Sequence, residues 1–174
     1  MKKVLGEFLG STLLVAIVVG SGIMATNLSQ DVGVQLLINT ISTVFGLAVL
    51  IQILGPISGA NFNPLVTMVD LIQKRTNFVT FVQYAISQTT GAITGAILAN
   101  AMFSHPLIEI STKVRGGGNQ YLGEIVATAG LILIINLMIH QEKTALIPAI
   151  VASWIGSAYS VSYTHLTLPT KRIV

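Results

Sequence analysis

The residues whose types and spacing could do chemistry lie between Gly55 and Asp70, which read Gly-Pro-Ile-Ser-Gly-Ala-Asn-Phe-Asn-Pro-Leu-Val-Thr-Met-Val-Asp. Asn63 followed by Pro64 is a strong helix start, because asparagine caps exposed backbone N–H groups and proline suits the first helical position. We therefore predict a helix that begins at Pro64. It has about nine residues before Lys74, or about 13 Å, which is roughly half the thickness of a bilayer core.

The irregular backbone before this helix, from Gly55 to Phe62, predicts an aqueous passage. At membrane depth such backbone is tolerated only where it is buried in protein or lines a water-filled cavity. Its carbonyl groups can accept hydrogen bonds, while the helix start presents a partial positive charge and the Asn63 amide can donate. The segment therefore suits neutral hydrogen-bonding molecules and disfavours cations, including protons.

The elements that must position this segment are apolar helices. Of the 174 residues, 52% are hydrophobic and 9% are charged, whereas soluble domains carry roughly a quarter charged residues. The stretches that we predict to be spans are Val4 to Ala25, Val32 to Leu54, Phe78 to Phe103, Tyr121 to Ile139 and Ala145 to Tyr159. The predicted fold class is all-α and integral to the lipid bilayer, with about five spans and one re-entrant half-helix.

The basic residues predict the orientation of these spans. Lys2 and Lys3 precede the first span, and Lys74 and Arg75 precede the third. By the positive-inside bias, both positions are cytoplasmic in a multi-pass protein of the cell membrane. A cleaved signal peptide is disfavoured, because the first apolar run is longer than a usual signal-peptide core and contains Glu7.

An inverted repeat is indicated by one short recurrence. Leu5-Gly6-Glu7 returns as Leu122-Gly123-Glu124, and two spans and a re-entrant segment separate the copies, so that they begin on opposite membrane faces. The predicted channel domain is 1–162, with a first repeat at 1–104 and a partial second repeat at 120–162.

The segment from Ser58 to Thr67 resembles the first signature box of the aquaporin and glycerol-facilitator family, the major intrinsic proteins. That box usually reads Ser-Gly-Ala-His-Xaa-Asn-Pro-Ala-Val-Thr, so Asn61 replaces the common histidine and Leu65 replaces alanine. The bulkier Leu65 is expected to reshape the waist of the pore. The positions that the resemblance assigns to the pore are Gly59, Ala60, Asn61, Asn63, Pro64 and Leu65.

Further roles follow from the same resemblance. Glu7 and Glu124 are expected to brace re-entrant loops through backbone N–H groups; the alternative is that each is an interfacial glutamate at a helix end. The family's selectivity position, twenty residues before the box asparagine, falls on Thr43, and a small side chain there suggests a wide constriction. Phe45 is the alternative if the helix register differs. We also expect Gly91 and Gly95 to serve close helix packing.

The resemblance implies a passive channel for water or small neutral solutes such as glycerol, without a cofactor or metal, and a homotetramer with one pore per subunit. The sequence contains no second Asn-Pro-Ala box, following arginine or sixth span. The polarity of residues 163–174 matches no span, so we expect this tail to be an artefactual sequence foreign to the family. We also expect the full-length parent to conduct and the chain as given to be inactive or nearly so.

Three rival interpretations remain. An enzyme is disfavoured, because His105, His140 and His165 lie apart from any cluster of serine or carboxylate groups, and the absence of cysteine excludes thiol chemistry. An ion-coupled secondary transporter also uses broken helices, but needs intramembrane acids for its driving ion. A non-conducting structural fragment is the third. Nucleic-acid binding is unsupported, because the nine Lys and Arg residues form no basic stripe.

Overall fold

The computed structural model describes residues 1–108 and 118–161, and most of these residues are helical. The helices are α1 (Lys2–Leu28), α2 (Val32–Ser58), α3 (Pro64–Ile72), α4 (Phe78–Met102), α5 (Gly118–His140) and α6 (Ile147–Val161), with one 3₁₀ turn at Thr144–Leu146. The predicted all-α class, with one short helix among long ones, is confirmed over this part of the chain.

Within residues 1–108 and 118–161, three helices are long and apolar enough to cross a membrane: α1, α2 and the part of α5 from Tyr121 to His140. Helix α4 has 25 residues but is more polar, and its polar side chains Ser87 and Gln88 are buried. Helix α6 has 15 residues, about 22 Å. That α4 and α6 also cross the bilayer stays a prediction.

Helix α2 extends further than its apolar pattern predicts. We expected irregular backbone from Gly55, but the helix continues through Pro56 to Ser58. It ends where Gly59, at φ 94°, donates its N–H to the Gly55 carbonyl at 2.9 Å. A proline inside a helix removes one hydrogen bond without always ending the helix. The loop before α3 is therefore shorter than predicted.

Helices α1 and α4 cross at small residues. A Cβ on Gly91 would lie 2.5 Å from the Phe8 carbonyl oxygen, and one on Gly95 would lie 2.2 Å from that of Thr12. Because no side chain fits there, these glycines allow the backbones to touch, as their spacing predicts. The Ser87 hydroxyl adds a hydrogen bond to the Val4 carbonyl at 2.6 Å.

The long helices form an arc in which each packs on the next, in the order α4, α1, α2, α6, α5, and α3 packs on α4. A buried apolar cluster lies where α2, α3, α5 and α6 meet; its members are Leu47, Ile51, Ala60, Val66, Leu131, Val151 and Ala152. Large apolar residues such as Phe45 and Leu133 face outward, which suits a lipid environment.

Candidate functional site

The short helix α3 begins as its sequence predicts. It has nine residues, about 13 Å. Pro64 is at its start, and the Asn63 side-chain oxygen accepts the Leu65 N–H at 2.8 Å. The Asn63 amide nitrogen makes no hydrogen bond among the described residues, and Asn63 lines a cavity. This end of the helix therefore offers a donor and the positive end of its dipole to that cavity.

The loop before α3 has an unusual backbone. Gly59, Ala60 and Phe62 have φ values of 94°, 51° and 47°, all in the left-handed region, which costs a non-glycine residue about 1–3 kcal/mol. Such a conformation persists only where surrounding contacts over-determine it. The contacts that hold this loop are therefore central to the site.

Glu7 supplies most of those contacts. Its side chain is fully buried, and one carboxylate oxygen accepts the Ser58 hydroxyl at 2.6 Å and the Asn61 backbone N–H at 3.1 Å. The other oxygen accepts the Phe62 N–H at 2.8 Å and the Gln88 side-chain amide at 2.7 Å. Four donors offset the cost of burying the carboxylate. This geometry agrees with the bracing role that the resemblance assigns to Glu7.

Two further contacts fix the loop from the sides. The Tyr84 hydroxyl donates to the Ser58 carbonyl at 2.7 Å. The Phe62 ring lies against α1, so that a Cβ on Gly10 would come within 1.9 Å of it. The glycine therefore makes room for the aromatic ring that anchors the loop.

A polar chain leads from the loop along α3. The Asn61 amide donates to the Thr67 hydroxyl at 3.2 Å and to Asp70 at 3.1 Å. The Arg75 guanidinium donates to the other oxygen of Asp70 at 3.0 Å and also to the Asn136 side-chain oxygen on α5. Asn61 thus takes part in a hydrogen-bonded chain that reaches across to another helix.

A cavity of about 610 Å³ opens beside α3. Its lining includes Leu14, Val15, Val18, Thr43, Leu47, Ile51, Gly59, Ala60, Asn61, Phe62, Asn63, Val66, Asp70, Arg75, Glu124, Ala127, Thr128, Leu131, Ile135, Ile139, Ile147, Val151, Ile155, Ala158 and Tyr159. Along α5 the lining runs from Glu124 to Ile139, about 22 Å. The cavity is therefore elongated and mostly apolar, with a few polar groups.

The two candidates for the selectivity position differ in their environment. Thr43 is buried, lines the cavity, and makes a 3.1 Å hydroxyl–hydroxyl hydrogen bond with Tyr159 of α6. Phe45 is 70% exposed on the outer face of α2. The register of α2 therefore favours Thr43, whose role in selectivity stays a prediction.

The other predicted site residues divide into two groups. Gly59, Ala60, Asn61 and Asn63 line the cavity, whereas Pro64 and Leu65 are not part of its lining over the described chain. Leu65 lies 38% exposed on the other side of α3, so its effect on the pore stays a prediction. Glu124 lines the cavity, and its bracing role is likewise untested.

Sequence reasoning missed four residues of the site. Asp70 and Arg75 line the cavity, as does Tyr159, and Thr67 receives hydrogen bonds from Gln88 and Asn61. The signal for Asp70 and Arg75 was available, because opposite charges five residues apart at the end of a half-helix can pair. Tyr159 offered no such signal, since a tyrosine at a span end is also typical of an interfacial anchor.

In residues 1–108 and 118–161 the structure gathers no group of three or more His, Asp or Glu side chains able to hold a metal. His105 follows α4, and His140 ends α5. His165 and the predicted foreign tail, 163–174, lie outside the described residues.

Comparison with known proteins agrees with this geometry. The family model described as "Major intrinsic protein" matches residues 1–169. The chain is 43% identical over 160 residues to "Aquaglyceroporin AqpS" of Rhizobium meliloti (strain 1021), which covers 91% of this chain and 67% of that protein. It is 34% identical over 140 residues to "Aquaporin-2" of Ovis aries, covering 79% and 49%, and 33% identical over 152 residues to "Aquaporin-5" of the same species, covering 83% and 55%. The chain thus spans about half the length of these two mammalian relatives.

Proposed function

This chain belongs to the major intrinsic protein family, a family of membrane channels rather than enzymes, and we propose that it forms part of a passive channel for water or small neutral solutes such as glycerol. The observation that carries the proposal is the start of α3, where Asn63 faces an elongated cavity. A neutral molecule in that cavity meets the free Asn63 amide and a positive helix end. The same partial positive charge repels a cation.

The cavity supports passage of neutral molecules in a second way. Most of its wall is aliphatic, with polar groups at intervals, among them Thr43, Asn61 and Thr128. Isolated hydrogen-bonding groups in an apolar wall let a small polar molecule exchange partners without tight binding. A hydrated ion finds too few ligands there to replace its water shell.

The alternative of an ion-coupled transporter is less well supported. An ion-coupled transporter needs an intramembrane acid that can take up the driving ion. The oxygens of Glu7 are already engaged by four donors, and Asp70 is paired with Arg75. Glu124, the other acid in the cavity lining, also has an interaction partner. A non-conducting fragment concerns these 174 residues by themselves and does not compete with the channel proposed for the parent.

We infer three further properties from the family and the charge pattern. The protein lies in the cell membrane with its amino terminus in the cytoplasm, because basic residues flank the predicted inner ends of the spans. It acts as a homotetramer with one passage per subunit. These 174 residues alone are inactive or nearly so, because the one half-helix among the described residues covers only part of the passage wall.

Osmotic swelling of proteoliposomes tests the proposal. The longest reading frame that contains this chain is expected to accelerate water or glycerol entry above protein-free vesicles, with the same rate in the presence and absence of an ion gradient. The 174-residue chain is expected to give a smaller rate. Entry that depends on the gradient would favour the transporter, and entry no faster than in empty vesicles would overturn the channel.

A further inference from the structure

We propose that Arg75 is the constriction residue that limits solute size at the end of the passage where α3 meets α5. This inference rests on the proposed channel and adds a specificity-determining residue to it. In the arc of helices, α4 and α5 are the two ends, and α3 packs on α4. The Arg75 side chain joins the two ends, because its guanidinium reaches Asn136 on α5.

The position of Arg75 along the passage is set by its neighbours in the cavity lining. Ile139 lies at the end of α5 and Ile147 at the start of α6, and both line the cavity together with Arg75. Thr43 and Tyr159 line the cavity too, but Tyr159 lies at the opposite end of α6 from Ile147. Arg75 therefore belongs to one mouth of the passage, away from the predicted selectivity position.

The hydrogen bonds of Arg75 fix its partly exposed side chain between the end of α3 and α5. One terminal nitrogen donates to Asp70 at 3.0 Å, and the other donates to the side-chain oxygens of Gln73 and Asn136. The planar fork of a guanidinium can hold two partners on two elements at once. Asp70 in turn accepts a hydrogen bond from the Asn61 amide. The Arg75 side chain is therefore linked to the loop that Glu7 braces.

The ion pair also determines what kind of barrier this is. Because Asp70 offsets the charge of Arg75, the mouth neither attracts anions strongly nor repels neutral molecules. What remains is the bulk of the guanidinium across the opening. The barrier therefore discriminates by size, whereas the start of α3 discriminates by charge.

Cysteine labelling tests this inference without requiring conduction. The chain has no cysteine, so Leu131→Cys places a single thiol in the cavity wall, about 7 Å deeper along α5 than Asn136. A small and a bulky thiol reagent, both water-soluble and uncharged, are added from the face that carries Arg75. The measured quantity is the ratio of the two labelling rates, bulky over small.

Matched variants give the expected results. Arg75→Ala is expected to raise the ratio about tenfold, because it removes the guanidinium that fills the mouth; a tenfold change corresponds to about 1.4 kcal/mol. Arg75→Lys and Asn136→Ala should each raise it less, because an ammonium cannot hold both partners and an untethered arginine still fills part of the mouth. Lys74→Gln is the matched control. Lys74 is the neighbouring basic residue and does not line the cavity, so this variant should leave the ratio unchanged.

Two results would overturn the constriction role of Arg75, and one of them would also overturn the proposed channel. If both reagents label Leu131→Cys but Arg75→Ala and Arg75→Lys leave the ratio at its original value, the constriction role is wrong while the passage stands. If neither reagent reaches Leu131→Cys in any background, no aqueous passage exists, and the proposed function falls together with the constriction.

Discussion

At the scale of single residues, Glu7 determines the geometry of the site. The backbone of Ala60 and Phe62 is in a region that those residues adopt at a cost, and the carboxylate receives N–H groups from this loop. The same carboxylate receives the Gln88 amide from α4. One buried charge thus joins α1, the loop and α4, so its removal should affect the loop and the helix packing together.

Glu7→Gln is expected to lower the free energy of unfolding by about 3 kcal/mol, because an amide N–H₂ would face donors in place of an acceptor oxygen. Unfolding in detergent, followed by loss of helical signal, measures the change. Glu142→Gln is the matched control, since Glu142 is exposed after α5. Equal stability of Glu7→Gln and the unmodified chain would contradict the bracing role.

Asn63 has two roles that a single substitution can separate. Its side-chain oxygen caps α3. Because Asn63 also lies in the cavity wall, a charge introduced at this position would lie in the path of a solute. Aspartate caps a helix about as well as asparagine does. Asn63→Asp therefore keeps the helix, but replaces the amide donor in the cavity wall with a negative charge.

Asn63→Asp is expected to raise cation leak at least roughly tenfold, because a negative charge at the helix start offsets the dipole that repels cations. Ion flux into reconstituted vesicles measures the leak. Asn77→Asp is the matched control, since Asn77 caps α4 through the same kind of hydrogen bond, at 2.8 Å to the Thr80 N–H, and is absent from the cavity lining. An equal leak in the two variants would refute the charge role of Asn63.

At the scale of elements, the sequence predicts helix starts better than helix ends. The start of α3 follows from local chemistry, because capping by Asn63 and a first-turn proline act within one turn. The end of α2 does not follow in this way: Pro56 predicts a break, yet the helix continues to Ser58. That end depends on Glu7 and Tyr84, which reach Ser58 from other helices, and a local pattern contains no information about such contacts.

The crossing of α1 and α4 gives a prediction at the same scale. Gly95→Ala is expected to destabilise the fold by about 1–3 kcal/mol, the usual cost of overpacking, because its Cβ would clash with the Thr12 carbonyl oxygen. Gly55→Ala, whose Cβ would have nothing within 4 Å, should be neutral or more stable by up to about 1 kcal/mol, since alanine favours helix. Thermal unfolding of both variants measures the difference. Equal effects would show that close approach does not explain Gly95.

At the scale of the whole molecule, the number and order of the helices were predictable, whereas the closure of the passage was not. Apolar stretches and one Asn-Pro pair suffice for the five long helices and α3, since both signals are local. The contacts that join distant segments, such as Thr43 with Tyr159 and Arg75 with Asn136, depend on how α6 and α5 fold back. Their sequence separations are 116 and 61 residues, which no periodicity encodes.

The central claim is that α3 enters the bilayer and presents its start to water, and single-cysteine labelling in sealed liposomes tests it most directly. Asn63→Cys is expected to react with a small membrane-impermeant thiol reagent at a rate no more than about tenfold below that of Lys74→Cys. A tenfold lower rate corresponds to about 1.4 kcal/mol of steric hindrance. Phe45→Cys, on the outer face of α2, should not react. If Asn63→Cys is as unreactive as Phe45→Cys while Lys74→Cys is labelled, the start of α3 does not face an aqueous passage and the account is wrong.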